Sequence, residues 1–423
     1  MGKHKKNIEK NLDEKLKIFE KGFLSNKANN DKSKIEEEKW NEFIEPLKLF
    51  DEIEESKHSE IKKMIDQKKE KLDFKIKYGN KNKMILKYRK PSLKNGYYTY
   101  RLFGEKFVKN NSNKCKIIIN GKEKELFETI SLTPEENPLN YLEVTLVEIS
   151  TVTDMSSLFY YCYDLEFVQS EWDTSNVQNM IFMFDHCENL IELKCIKQWN
   201  TSKVGSMDSL FYGCKSLKEL PNISSWDMSN VTSIMHMFDH CSSLSYIPDI
   251  SGWNIKKLEH IAYLFCGCSS LKKVPELFQV NSKMDSITGF FMGCSSLTYL
   301  PDISNWNTEN ISTAVLVFAY CSKITYLPDI SKWNINKSTC IHRMFEGCSS
   351  LIEIPNIGKW NNISIAYDLF KGCLSLKKLP DTSNWESKMG FDSYKLIFNG
   401  CKEELVPDKY REKTIDKNKN LKK

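Results

Sequence analysis

The sequence has no apolar run near the roughly 18 residues that a membrane-spanning helix needs. Its first 23 residues begin with lysines but contain no continuous apolar segment of the kind found in a secretory leader. These two absences predict a cytoplasmic protein. Its thiols should then be reduced, because disulfides form mainly in oxidising compartments.

Sequence signatures of common catalytic sites are also missing. There is no Gly-rich phosphate loop, no His-Glu-x-x-His helix and no Gly-x-Ser-x-Gly nucleophile elbow. The sequence therefore predicts a protein without enzymatic activity.

Paired metal ligands are absent as well, although the chain has 14 cysteines and seven histidines. Structural zinc sites normally pair one Cys-x-x-Cys with a second pair, and no such arrangement occurs. We predict no metal and no cofactor, and we interpret the recurring thiols as small packing residues. The local candidates that this interpretation sets aside are His186-Cys187, His240-Cys241 and Cys266-x-Cys268.

The sequence does contain a repeat. Residues 227–253 read DMSNVTSIMHMFDHCSSLSYIPDISGW, and near copies occupy 200–226, 307–333 and 334–360. Self-similarity at this period is typical of repeat proteins whose units stack on their neighbours. Aligning the units on Phe-x-x-Cys produces a column of ten cysteines spaced 25 to 28 residues apart: Cys162, Cys187, Cys214, Cys241, Cys268, Cys294, Cys321, Cys348, Cys373 and Cys401.

Each unit predicts one short helix and one short strand. The helix is indicated by apolar residues at spacings of three and four, namely Val231, Ile234, Met235 and Phe238. The strand is indicated by the apolar pattern at 244–247, which ends at a proline. The predicted fold class is α/β: a leucine-rich-repeat solenoid with a parallel sheet on its concave side and short helices outside.

The run M-F-x-x-C-S-S-L-x-x-(L/I)-P-(D/N)-I-S-x-W-(N/D) closely resembles the BspA-like, mycoplasma-type leucine-rich repeat. The resemblance covers about residues 151–403. It implies a surface-adhesion or protein-interaction module, and it specifies the fold rather than an activity, because members of this family share no common chemistry.

Two further columns are interpreted as structural. One is aromatic, and Val280 replaces Trp in one unit, which indicates burial in the core. The other follows the proline and holds Asp249, Asp302 and Asp329, with Asn222 and Asn356 at equivalent places and Glu276 at another. Turn capping explains this second column better than calcium binding, since Asn serves equally well. The aromatic column is Trp172, Trp199, Trp226, Trp253, Trp306, Trp333, Trp360 and Trp385.

A third column varies from unit to unit and is the candidate binding site. It lies two residues after the first Leu of each predicted strand, where the side chain should face the concave side. Its central Tyr and Lys residues predict a protein interface. The alternative is that the tyrosines only cover the sheet as cross-strand neighbours. The column is Phe167, Glu192, Glu219, Tyr246, Lys273, Tyr299, Tyr326, Glu353 and Lys378.

Four regions are predicted along the chain. Residues 1–75 form a charged helical region, and 76–140 form a small β capping module with an Asn120-Gly121 hairpin. Residues 141–403 form the solenoid of about ten units, with 141–149 as its first strand. Residues 404–423 form a basic tail that we expect to be disordered.

Charge is unevenly distributed along the chain. Residues 1–90 carry 25 Lys and Arg against 18 Asp and Glu, whereas the repeats are mildly acidic. The leading hypothesis is a scaffold that binds an unidentified protein. The alternatives are peripheral binding of nucleic acid or anionic membrane through the basic head, and a surface adhesin exported without a recognisable signal.

Overall fold

A computed structural model of the chain describes residues 82–276, 280–335, 337 and 339–411. By compactness the chain divides into two units. The described part of the first is residues 82 and 118–124, and the second runs over 83–117 and from 125 onward. The helices predicted for residues 1–75 lie outside the described residues.

Strands occupy much of the region between residues 83 and 148, as its β-branched and aromatic content predicts. One helix, α1 (Glu105–Asn111), follows β2, and β2 pairs in antiparallel fashion with β5. The strands are β1 (Lys83–Arg89), β2 (Tyr98–Arg101), β3 (Cys115–Ile119), β4 (Lys122–Glu125), β5 (Thr129–Leu132) and β6 (Tyr141–Glu148).

The predicted hairpin joins β3 to β4. Asn120 and Gly121 have φ angles of 51° and 75°. A type I′ turn requires positive φ at both central residues, which is why Asn-Gly favours it. The hairpin prediction is confirmed.

A larger sheet connects this region to the repeats, and its strands in the second unit include the run β6-β1-β7-β8. Strand β1 runs antiparallel to both β6 and β7 (Leu165–Glu171), and β7 pairs in parallel with β8 (Glu192–Lys194). Leu142, Val144 and Leu146 of β6 are buried, as predicted. The prediction that 141–149 is the first strand of the parallel array is wrong, because β6 pairs in antiparallel fashion with β1, and β7 is the first strand that pairs in parallel with another strand.

The repeats are built mainly from turns, and this corrects the predicted solenoid. An α/β repeat protein with few helices is confirmed, but residues 231–238 form no helix and residues 244–247 form no strand. At the predicted strand position, parallel pairing in the described residues is limited to β7 with β8 and to a bridge between Lys273 and Tyr299. Over the described ranges, the repeats do not form a closed solenoid of strand and helix units.

The backbone of each unit explains why the helix prediction failed. His236 and His240 adopt left-handed conformations with φ of 56° and 58°. A non-glycine residue pays roughly 1–2 kcal/mol for this conformation, and it cannot continue a right-handed helix. Apolar residues at spacings of three and four are instead the corners of successive turns: Val231, Ile234, Met237 and Phe238 are buried, whereas Met235 is only half-buried.

Successive units stack through backbone hydrogen bonds in register. The N–H groups of Ile234, Phe238 and His240 donate to carbonyl groups of the next unit, at residues 260, 264 and 266, over 3.0, 3.1 and 2.7 Å. A parallel ladder of single bridges also joins equivalent residues of neighbouring units. The bridged residues are Asp154, Asn179, Ser206, Ser233 and His260, and then Ser286, Thr313 and Cys340. Two short parallel strands, β9 (Thr339–Cys340) and β10 (Ile363–Ile365), extend this ladder.

The cysteine column is a packed ladder, as predicted. The Cys241 thiol donates to the carbonyl of Phe211 at 3.1 Å, and the Cys268 thiol donates to that of Phe238 at 3.1 Å. Phenylalanines of the same motif stack beside it: the Phe238 ring lies 5.8 Å from Phe211 and 5.7 Å from Phe265, nearly parallel to both. Buried thiols and stacked rings together form the core of the array.

The tryptophan column is also core, as predicted. Trp333 stacks between Trp306 and Trp360 with 6.0 Å between ring centroids on each side. Its indole N–H donates to the Ile303 carbonyl at 2.9 Å. Val280, which replaces Trp in one unit, is buried in the same way.

The acidic column after the proline caps turns, as predicted. Asp249 Oδ1 accepts a hydrogen bond from the backbone N–H of Ser251 at 2.9 Å, and Asn222 Oδ1 accepts the equivalent bond at 2.9 Å. Hydrogen bonds from the following serine lower the pKa values of Asp249, Asp302 and Asp329. These bonds favour the ionised carboxylate.

We expect these three carboxylates to make stability fall in acid. A folded-state pKa below the unfolded value, about 3.9 for Asp, stabilises the protein above that pH, and this contribution disappears as pH falls through the folded pKa. Substituting Asn for Asp249, Asp302 and Asp329 should change the pH 7 melting temperature little but flatten its decline below about pH 4. Circular-dichroism melts across pH test this, and equal declines in both proteins would contradict it.

The C-terminal end closes with helices and aromatic residues. Helices α2 (Ser383–Met389) and α3 (Phe391–Lys395) follow the last strand, and Tyr410 packs 5.2 Å from the Phe398 ring. The predicted start of the disordered tail, at residue 404, is therefore too early. Residues 404–411 are folded, whereas 412–423 lie outside the described residues. The remaining elements are three-residue 3-10 helices at Ile196–Gln198, Ile330–Lys332, Ile357–Lys359, Leu396–Phe398, Glu403–Leu405 and Asp408–Tyr410.

Within the described ranges, no helix combines the length and apolar character needed to cross a bilayer.

Candidate functional sites

The variable column predicted from the sequence lies on the surface, and we call its nine residues the exposed column. Eight of them are exposed and Phe167 is half-buried. Their central tyrosines have large exposed fractions: 46% for Tyr246, 52% for Tyr299 and 56% for Tyr326. Binding through this column remains a prediction.

Neighbouring members of the exposed column lie on neighbouring units. Lys273 and Tyr299 form a parallel bridge, and Phe167 pairs with Glu192 in the same way. Between other units, a backbone hydrogen bond joins the residues that directly precede the column positions. For example, the N–H of Ser245 donates to the Lys218 carbonyl at 3.0 Å. The side chains of the column therefore follow one another at roughly the 4.8 Å spacing of paired strands.

Phe167 differs from the rest of the exposed column because two lysines of the protein itself already contact its ring. The ammonium groups of Lys87 and Lys194 lie 5.7 and 5.1 Å from its ring centroid. Both distances are within the range of a cation–π contact. The central tyrosines are better placed than Phe167 to contact a partner.

A second set of residues, along the turns of the repeats, was not predicted from the sequence. It is formed in each unit by the residue two positions before the column cysteine and by the two residues with positive φ, and we call it the turn strip. Its left-handed residues are Ser157, Phe182, Ser209, His236, Tyr263, Gly289, Leu316, Arg343 and Asp368, followed in the second column by Tyr161, His186, Gly213, His240, Gly267, Gly293, Tyr320, Gly347, Gly372 and Gly400.

Three carboxylates of the turn strip are buried. Glu346 is held by Arg343 Nε at 2.5 Å and Lys371 Nζ at 3.3 Å. Burial opposes ionisation of Glu346, but hydrogen bonds from these cations and from Tyr320 bring its pKa below the usual value. Asp185 and Asp239 have histidines as their partners instead.

Asp185 pairs with the neighbouring His186, whose Nδ1 contacts its carboxylate. Burial raises the pKa of Asp185, and the hydrogen bond from His186 acts in the opposite direction. The His186 ring stacks on Tyr161 with centroids 4.5 Å apart, which fixes its orientation.

Asp239 lies between two imidazoles. Its Oδ2 is 2.7 Å from His236 Nδ1, and its Oδ1 is 2.5 Å from His240 Nδ1. The His236 ring stacks on Tyr263 of the next unit at 4.7 Å. Cys266, also from the next unit, completes the group, because the ligand atoms of Asp239, His240 and Cys266 all lie within 4.8 Å of one another.

Glycines of the turn strip make room for these rings. A Cβ on Gly267, whose φ is +68°, would meet the Cα and ring of His240 at 3.2 Å. Gly213 lies in the same way against His186, with its nearest atoms at 3.6 Å. A glycine on one unit thus accommodates the histidine of the unit before it.

The structure separates the residue pairs considered as metal ligands from the sequence. Cys241 and Cys268 point into the thiol ladder, whereas His240 and Cys266 meet on the turn strip. The group was missed because its members come from two units. Reading the position two before the column cysteine as its own column, with Asp185, Asp239, Cys266 and Glu346, would have shown where it lies.

Comparison with known proteins gives a family but no activity. A leucine-rich repeat protein from Eubacterium ventriosum is 17% identical, with a TM-score of 0.27, over 48% of this chain and 57% of that chain. A leucine-rich repeat protein from Bacteroides ovatus is 15% identical, with a TM-score of 0.23, over 57% of this chain and 86% of that chain. The chain thus spans little more than half of the first of these proteins, and no curated protein sequence matches it.

Residues 127–219, 190–299 and 285–405 match a family model described as Mycoplasma protein of unknown function, DUF285. The resemblance of the repeat to the mycoplasma type is confirmed by this match. Because the matched stretches together cover more than half of the sequence, the chain belongs to the DUF285 family of Mycoplasma proteins.

Proposed function

We propose that this repeat protein is a non-enzymatic scaffold that binds another protein through the centre of the exposed column. The observation that carries the proposal is that Tyr246, Tyr299 and Tyr326 keep 46%, 52% and 56% of their surface exposed in one row. Exposed aromatic residues are the usual anchors of protein interfaces.

The chemistry of the row suggests what it binds. Lys273 lies between Tyr246 and Tyr299 in the stack, and the four positions extend over about 15 Å at the spacing of paired strands. A protein segment with apolar side chains flanking an acidic residue would match three tyrosines and one ammonium group. Variation of the exposed column from unit to unit supports a binding role, because the residues that build the array recur.

Replacing Tyr246, Tyr299 and Tyr326 by Ala should abolish partner binding and leave the thermal melt nearly unchanged. Hot-spot aromatics each cost about 2 kcal/mol or more of binding free energy when truncated. The partner is first identified by affinity capture with mass spectrometry, and its affinity for each purified variant is then measured by calorimetry.

The matched control is the variant Tyr97→Ala with Tyr163→Ala, which removes exposed tyrosines outside the exposed column. It should bind the partner like the wild type. Retained binding by the triple variant would reject the site, and it would favour the alternative that these tyrosines only cover their neighbours.

A rival function is peripheral binding of nucleic acid or anionic membrane by the basic head. Residues 1–90 carry 25 Lys and Arg against 18 Asp and Glu, which favours this possibility. Deleting residues 1–75 and measuring salt-dependent binding to RNA and to anionic vesicles separates the two. Salt-sensitive binding lost with the head would support the rival.

The scaffold is proposed to act in the cytoplasm. Support comes from the packing of column cysteines such as Cys294 and Cys321, whose sulfur atoms lie 3.1 and 3.0 Å from backbone carbonyl oxygens, a geometry that suits a thiol. Cell fractionation tests this placement. Recovery on the cell surface would instead support an exported adhesin.

A further inference from the structure

We propose that His236, Asp239, His240 and Cys266 form a binding site for a transition-metal dication of the zinc type. Nothing in the family description assigns such a site. Three of the residues come from one unit and the fourth from the next, so the ion would join two neighbouring units of the array.

The donor atoms suit zinc. Two imidazole nitrogens, a carboxylate and a thiolate are all ordinary zinc ligands, and a tetrahedral ion holds them about 2.0–2.3 Å away. Ligand atoms around such an ion are then roughly 3–4 Å from one another. The donors of Asp239, His240 and Cys266 lie within 4.8 Å of one another. The Nδ1 atoms of His236 and His240 are hydrogen-bonded to the Asp239 carboxylate at 2.7 and 2.5 Å, so the rings must turn slightly to reach the spacing of metal ligands.

The backbone holds two ligands fixed and leaves two adaptable. Asp239 and Cys266 each have an exposed fraction of 3%, so the fold fixes the oxygen and sulfur donors. The side chains of His236 and His240 are 33% and 55% exposed, and His240, the more exposed of the two, has the most freedom to turn toward an ion. A 2.7 Å hydrogen bond from the His240 N–H to the Cys266 carbonyl keeps the two units in register at the site.

Charge also favours a cation here. The Asp239 carboxylate and the Cys266 sulfur are both buried beside each other, where little water is available to solvate a charge. A bound dication would compensate the carboxylate and a thiolate at this place. The competing role for Asp239 is to brace the turn by accepting hydrogen bonds from two imidazoles.

A second group in the chain distinguishes a metal site from a turn-bracing role for Asp239. Asp185 and His186 occupy the same positions two units earlier, but Phe182 replaces His236 and Tyr212 replaces Cys266. That group has the same carboxylate and imidazole without the second histidine or the thiol. A turn-bracing role requires the pair that both groups share, whereas a metal site requires the additional ligands.

The test uses the full chain, stripped with a chelator and titrated with Zn²⁺ by calorimetry and with Co²⁺ by absorption spectroscopy. The wild type should bind one equivalent, and Co²⁺ should show thiolate charge-transfer absorption. Asp239→Asn should lower Zn²⁺ affinity at least about 10–100-fold, the loss that removing even an outer-shell partner causes. Cys266→Ser should weaken binding similarly and abolish the charge-transfer band.

Two control variants should keep wild-type affinity. Asp185→Asn alters the reference group, and Cys195→Ser removes a partly exposed thiol elsewhere. If the circular-dichroism spectrum shows that a buried-site variant does not fold, His240→Ala replaces it, because that side chain is the most exposed of the four. Failure of the wild type to bind Zn²⁺, or wild-type affinity in the folded ligand variants, would overturn the proposal.

Discussion

Replacing Phe238 by Ala should lower the free energy of unfolding by about 3–5 kcal/mol, the usual cost of removing a buried phenylalanine ring. The ring has no exposed surface and lies between Phe211 and Phe265 in the continuous stack. Its removal leaves a cavity bounded by two rings whose positions are fixed by their own units. Because the Phe238 carbonyl still accepts the Cys268 thiol bond, the loss reports on the ring.

Urea denaturation followed by circular dichroism measures this loss. Phe182→Ala is the matched control, because Phe182 lies in the same array with 39% of its surface exposed, and it should cost well under half as much. Equal effects from the two substitutions would show that the stack contributes no more than surface rings do.

The second large effect is expected at Gly358. A Cβ added there would lie 1.8 Å from the backbone carbonyl oxygen of Asp381 and 3.0 Å from its carbon. Backbone atoms cannot rotate away as a side chain can, so the next unit must shift. Gly358→Ala should therefore destabilise the protein by about 1–3 kcal/mol, the usual range for overpacking.

Gly252, which directly precedes the column Trp253 of an earlier unit, supplies the control. A Cβ on Gly252 would meet no atom within 4 Å, and Gly252→Ala should be neutral or stabilising by up to about 1 kcal/mol. Thermal melts of both variants compare the two positions directly. A Gly358→Ala protein as stable as the wild type would mean that the Asp381 carbonyl does not approach Gly358 closely.

The parts of the fold that could be predicted are those in which one residue type recurs. Cys241, Trp333 and Val280 are buried as the alignment of units indicates, because a position that accepts only apolar residues in every unit is one that water does not reach. Asp249 and Asn222 cap turns for an equally local reason: either side chain can accept the N–H two residues later.

Apolar spacing alone could not distinguish the predicted helix from the turns that the repeats form. Residues three and four apart meet on a helix, but they also meet at the corners of successive turns. The missed signal was the glycine that precedes the column cysteine in several units, such as Gly267 and Gly293, since a recurrent glycine indicates positive φ. In the unit of Cys241 the equivalent residue is His240, which adopts the same positive φ although it is not a glycine. The glycine signal is therefore missing in that unit.

Of the two candidate sites, one could be predicted from the sequence and the other could not. The exposed column could be located from the sequence because it keeps a constant distance from the first Leu of each unit. The group around Asp239 could not, because Cys266 reaches it from the following unit and the register of stacking has no counterpart in linear spacing. That register is set by the backbone hydrogen bond between residues 240 and 266.

Strand β1 has a consequence for how copies of this protein can associate. By running antiparallel along β7, it occupies the backbone donors and acceptors that an additional preceding unit would need. Another molecule therefore cannot add its last unit at this edge and continue the array. Blocking this edge removes one route by which repeats of separate molecules could stack end to end into a fibre.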